Sequence, residues 1–140
     1  MALGSGRHRR AAAAALALAA TLLACAQAAP LLRCEVTYAG ATQVVEARPV
    51  EDPYPVPSVD IGGRFRFKAV MVGQGERVDH IALYAYLDTR RQPILVQEAK
   101  YLPPFRTGAA PYPLTGEQHL FAGPVERELI YQCTLEGVAP

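Results

Sequence analysis

Between residues 32 and 135 apolar and polar side chains take turns with a period of two, in one short segment after another. Successive side chains of a strand point to opposite faces, so this pattern describes strands with one face on a core and one in water. Residues 32–38 set Leu32, Cys34, Val36 and Tyr38 on one face and Arg33, Glu35 and Thr37 on the other. Residues 64–72 oppose Phe65, Phe67 and Ala69 to Arg64, Arg66 and Lys68. In 78–87, Ile81, Leu83, Ala85 and Leu87 share one face, with His80, Ala82, Tyr84 and Tyr86 opposite. Further strands are predicted over 42–48, 94–101, 117–121 and 125–135, the last with Val125, Arg127, Leu129, Tyr131, Cys133 and Leu135 facing inward. No segment after residue 28 carries a 3.6-residue apolar period, so no helix is expected.

Glycine and proline punctuate these runs. Ala39-Gly40 and the stretch from Gly73 to Glu76 are predicted hairpin turns, glycine supplying the positive φ. Residues 49–57 and 103–113 hold four prolines each, and proline donates no ladder hydrogen bond. Both read as irregular or edge-hugging loops. Short strands with such punctuation predict an all-β chain: a single small antiparallel β-sandwich of about six or seven strands over residues 29–140.

The first 28 residues have a different character. Arg7, His8, Arg9 and Arg10 precede an uncharged apolar run over residues 11–24, the layout of a secretory signal. As a helix that run reaches only about 21 Å, short of a ~30 Å hydrocarbon core, so no membrane span is expected. Two processing sites compete. Ala26-Gln27-Ala28 allows cleavage to leave Ala29 first, the favoured reading. The alternative is Leu22-Leu23-Ala24-Cys25, which resembles a bacterial lipobox and would make Cys25 a lipidated N-terminus and a membrane anchor. The expected location is periplasmic or secreted, or, by the alternative, that of an envelope lipoprotein.

Either outcome leaves Cys34 and Cys133, an even pair in an exported domain, which reads as a disulfide. It would close a loop of roughly 100 residues and tie the first strand to the last. Removing Arg7, Arg9 and Arg10 from the 14 basic residues leaves 11 against 13 acidic ones, a net charge of −2. That balance offers no drive toward nucleic acid or anionic lipid.

Tyr131-Gln132-Cys133 resembles the Tyr-x-Cys of immunoglobulin domains, in which the tyrosine packs at a corner two residues before the second cysteine. The resemblance implies an immunoglobulin-like architecture. As a whole, the chain resembles small exported bacterial proteins of unknown function, which implies no particular activity.

Residues able to carry chemistry are few. Ser58 is the one serine after residue 28, and a hydrolase would combine it with His80 and Asp79; it lies in Pro57-Ser58-Val59, without the glycines of a nucleophile elbow. Glu117 and His119, two apart on a predicted strand, would share a face and form a zinc or copper site if His80 joined them. Glu126 and Glu128 share a solvated face and are expected to pair across strands with Arg64, Arg66 or Lys68. Gly73-Gln74-Gly75 lacks the lysine and helix start of a phosphate loop, and no cofactor is expected. Aromatic rings on the two proline-rich loops remain: Tyr54, Phe105 and Tyr112, with Tyr101 at the edge. Rigid loops bearing such rings suit recognition of a protein or small ligand in the cell envelope. The leading expectation is therefore a non-catalytic binding or assembly module working through these loops or a sheet edge. A metal-binding envelope protein using His80, Glu117 and His119 is the alternative, and a small hydrolase comes last.

Overall fold

A computed structural model describes residues 29–140, so the signal segment and Cys25 lie outside the described residues. Ten strands follow in order: β1 (Leu31–Tyr38), β2 (Ala41–Ala47), β3 (Pro49–Val50), β4 (Val59–Ile61), β5 (Phe65–Gln74), β6 (Arg77–Leu87), β7 (Ile94–Tyr101), β8 (Tyr112–Pro113), β9 (Gln118–Ala122) and β10 (Arg127–Glu136). The seven long strands are those expected from the alternation. The three short ones come from proline-rich or glycine-flanked segments whose brief pairing leaves no periodic trace. No helix among the described residues is long and apolar enough to cross a membrane.

Two sheets pack face to face. Sheet A runs β2-β1-β10, with β8 and β9 sharing the far edge of β10; sheet B runs β5-β6-β7, with β3 and β4 sharing the far edge of β5. Pairing is antiparallel throughout, with one departure from expectation: β3 runs parallel to β5, Pro49 beside Met71 and Val50 beside Val72. The chain leaves sheet A at the end of β2 and enters sheet B at once, so no hairpin can reverse it.

The inward rows are those that the alternation marks. Leu32, Cys34 and Val36 from β1 meet Leu129, Tyr131, Cys133 and Leu135 from β10, all essentially buried. Phe65, Phe67, Ala69 and Met71 face them from β5, with Ile81, Leu83 and Ala85 from β6. Phe67 tilts against Tyr131 with ring centroids 5.0 Å apart, and Tyr38 meets Phe65 edge-on at 5.4 Å. These rings join the sheets. No polar or charged residue is fully buried among the described residues.

Turn chemistry sets the register. Ala39 and Gly40 both take positive φ, 51° and 79°, as a two-residue hairpin between right-twisted strands requires. Gly73 sits at the β5–β6 bulge, where a Cβ would collide with the backbone carbonyl of Arg77. The start of the last strand is corrected: β10 begins at Arg127, because Gly123 to Glu126 form a turn with Glu126 at φ 45°. Val125 is 68% exposed there, not inward.

Cys34 and Cys133 are bonded, at directly opposed positions of β1 and β10 with Cα atoms 4.0 Å apart. The bond lies within one sheet, whereas the immunoglobulin bond crosses between sheets. Tyr131 likewise sits between the layers with its hydroxyl donated to the Gln97 side chain, not to a corner backbone. The sandwich is thus all-β, with neither the bond nor the tyrosine in its immunoglobulin position. Replacing both cysteines with alanine is expected to lower unfolding free energy by about 4–5 kcal/mol, the loop-closure value for a loop of roughly 100 residues. Denaturant midpoints for the double variant and the oxidised protein measure this. Equal midpoints would show that the bond contributes nothing.

Candidate functional site

The candidate aromatic residues separate into different surroundings. Tyr54 is 90% exposed, on a turn where its amide bonds to Asp52 and the Val56 amide bonds to the Pro53 carbonyl. Tyr101 is corrected from an edge position to an inward one: it pairs with Ile81 and packs on the core beside Tyr131. Burial raises the pKa of Tyr101, and burial, reinforced by Tyr101, pushes Tyr131 up to about 12. Phe105 and Tyr112 are half-buried against the core, not free on their loop.

Arg106, next to Phe105 in the chain, nevertheless ties this loop to Tyr112. The Arg106 amide donates to the Tyr112 hydroxyl at 3.1 Å, and its guanidinium stacks over the Tyr112 ring at 4.9 Å. Pairing of β8 with Thr134 and Leu135 holds Tyr112 on the sandwich. The proline loop is thereby folded back at the end of the molecule where the β5–β6 hairpin turns. Proline supplies part of that rigidity by fixing φ.

A cleft of about 520 Å³ opens at this end. Phe105, Pro103 and Pro104 form one wall, Val78 and the tail residue Val138 contribute apolar surface, and Glu76 and Arg77 from the hairpin add opposite charges. The tail is fixed by main-chain bonds: Gly108 to Val138, Gly137 to Gly108 and Ala139 to Glu76. A largely apolar recess with a few charges on a braced scaffold is the form of a binding site. The proline and aromatic content of residues 103–113 pointed to one wall. The other two, hairpin and tail, are separated from it by tens of residues and carry no local motif.

His119 lies elsewhere, on the outer face of sheet A. Its Nδ1 is 2.6 Å from Glu128 and its Nε2 is 2.8 Å from Glu117. Glu117 precedes β9 yet still meets His119, as their spacing implied. Each ring nitrogen faces its own carboxylate, so no single metal position takes both carboxylates with this ring. His80 is on the outer face of sheet B, beside Val72, and does not join. Among the described residues no group of three His, Cys, Asp or Glu side chains is placed to hold a metal.

The expected pairing of Glu126 and Glu128 with Arg64, Arg66 or Lys68 is also corrected. Glu128 takes His119, Glu126 is in a turn, and Arg66 and Lys68 belong to the other sheet, with Arg64 in the turn before β5. Ser58 accepts a hydrogen bond from Arg66 Nε at 2.8 Å, and Asp79 pairs with Arg77 at 3.0 Å. Neither is engaged with His80. The outer face of sheet B also holds features that motif reading passed over. Tyr84 and Tyr86 lie nearly parallel, centroids 6.3 Å apart, with the Lys68 ammonium 5.8 Å from the Tyr84 ring centre. A hollow of about 230 Å³ beside them is lined by Val56, Ser58, Lys68, Tyr86 and Pro93. No known protein family, curated protein or solved structure matches this chain.

Two predictions follow from this geometry. Hydrogen bonds to Glu128 and then Glu117 raise the His119 pKa above 6.5, so the charged ring favours the folded state. That contribution is complete below pH 6.5 and is lost as pH rises through the raised folded value. Proton NMR titration is expected to place the His119 midpoint above 6.5, with Glu128→Gln moving it down. A midpoint unchanged by Glu128→Gln would show that the contact does not persist in solution. Tyr54→Ala is expected to change stability by less than about 0.5 kcal/mol, whereas Phe105→Ala loses about 1–3 kcal/mol, less than a fully buried ring. Thermal melts compare the two directly.

Proposed function

We propose that this domain is an exported, non-catalytic recognition module that holds an extended peptide segment of an envelope partner in the hairpin-end cleft. The observation that carries this reading is the 520 Å³ recess itself, with Phe105 and two prolines opposite the charged hairpin residues Glu76 and Arg77. An apolar anchor of the partner sits against Phe105, while the two charges fix its direction. Braced walls limit the ordering cost of binding, since the proline loop and the tail are already held by hydrogen bonds.

Export is supported from two sides. Residues 7–28 have the basic, apolar and small-residue order of a secretory signal. The Cys34–Cys133 bond accords with an oxidising compartment, where such bonds persist. Periplasmic or secreted placement is the reading, with lipidation at Cys25 as the route to a membrane-anchored form.

The test is selection of a displayed random-peptide library on the oxidised protein. Selected peptides are expected to weaken by about tenfold or more on Phe105→Ala, the scale of an interface anchor. Thr107→Arg, which crowds the rim from an exposed position, serves as a second variant with little effect on packing. Tyr54→Ala should leave binding unchanged. Peptides that bind all variants equally, or no enrichment at all, would end the proposal.

A further inference from the structure

The two edges of sheet B are unequal. On one side β3 and β4 share the edge of β5, whereas on the other β7 hydrogen-bonds only to β6. Among the described residues no main-chain bond from a loop or the tail reaches residues 94–101. The outer edge of β7 therefore offers unpaired main-chain donors and acceptors, a template for another strand. Two features confine what can pair there. Leu95 lies opposite Tyr86 and Gln97 opposite Ala85, so Val96 is an extra residue that bulges the strand. Pro103, just beyond the end of β7, has no N–H to donate.

Between bulge and proline, Glu98 and Lys100 share the outer face, opposite Tyr84 and Ala82 of β6. Both are exposed, and neither belongs to an ion pair among the described residues. Leu102, next along the chain, is 64% exposed. A two-fold pairing of β7 with a second β7 is antiparallel, and the residue on the axis decides which side chains meet. Successive residues turn their main-chain groups to opposite edges, so the axis falls on a residue. An axis at Glu98 opposes two carboxylates, and one at Lys100 opposes two ammonium groups. Axes at Gln97 or Tyr101 set both charges against apolar residues or proline. Only an axis at Ala99 places each Glu98 opposite a Lys100, and it also sets the exposed Leu102 of each copy beside Val96 of the other. Opposite charges directly across a strand pair stabilise it, and like charges destabilise it.

We propose that β7 is the contact edge of a reversible two-fold dimer, in which two copies of this chain pair β7 antiparallel about Ala99 and exchange Glu98–Lys100 contacts. A second copy fits because one strand carries both halves of the charge pair, in the order that an antiparallel twin requires. The free edge strand of sheet A lacks this property: β2 has Glu46 as its one charge, already bonded to Arg33. The contact is isologous, so it closes at two copies. So short a ladder buries less than the ~1,200 Å² of a stable complex, which makes association weak and reversible. It does not depend on peptide binding in the cleft.

Sedimentation equilibrium of the oxidised protein over a concentration series at low salt tests this. The average mass is expected to rise with concentration and stop at that of a dimer. Glu98→Lys or Lys100→Glu alone sets like charges opposite each other and should weaken the dimer by about tenfold or more. An equal mixture of those two variants has opposite charges at both positions and should form a one-to-one pair. The double variant Glu98→Lys/Lys100→Glu, with the wild-type net charge, should dimerise by itself. Glu35→Lys makes the same change of charge on the sheet A face and should leave association as it was. Thermal melts confirm that each variant is folded. A wild type that stays monomeric, or grows past a dimer, overturns the proposal. So do single variants that associate like wild type, or a mixture that pairs no better than its components.

Discussion

Pairing of β1 with β10 is the interaction on which sheet A rests. These are its two inner strands: β2 hydrogen-bonds only to β1, while β8 and β9 hydrogen-bond only to β10. The register runs without a break from Leu31 opposite Glu136 to Tyr38 opposite Leu129. Bringing these strands together closes a loop over nearly the whole domain, and the cost of closure grows with loop length. The disulfide sits in the middle of this pair, where it removes most of that cost from the unfolded chain. The β5-β6-β7 part of sheet B is made from consecutive hairpins and needs no such closure.

The core leaves little freedom elsewhere. Because no charged side chain is fully buried among the described residues, every ionic group must find a place on the faces, edges or ends. Arg66 illustrates the outcome: it is held to Ser58 and near Asp88, so a residue that composition offers as a nucleophile becomes an anchor for the β3–β4 segment. His119 is likewise held between two carboxylates, joining the start of β9 to β10. Groups that resemble reactive chemistry in isolation are here engaged in strand pairing and loop attachment.

Alternation made the sandwich legible in the sequence. Phe65, Phe67, Leu83 and Leu129 are inward because they occupy alternate positions, and Cys34 with Cys133 shares that phase. The parallel β3 was not legible, since two residues carry no period. Val125 was misplaced because Gly123 and Pro124 mark a turn without showing where it ends, and the extra turn residue shifts the start of β10. The candidate site was legible in one wall only. Phe105 and its prolines stand out in composition, but their contact with the β5–β6 hairpin and the tail arises from the meeting of chain segments distant in sequence. Tyr101 misled for the opposite reason: its place next to a proline-rich loop hid its inward phase on β7.

The order of strands also sets a schedule. A chain that emerges from a pore N-terminus first presents β1 early, but its permanent neighbour lies at residues 127–136. Until that segment is through, β1 and β2 form an isolated hairpin, and two strands alone are at best marginally stable in water. Half of the sandwich is therefore withheld until the last strand is available, and oxidation of Cys34 by its native partner waits for the same moment. Under the proposed export, this order would keep the polypeptide threadable while it passes through a narrow opening, with timing supplied by topology alone.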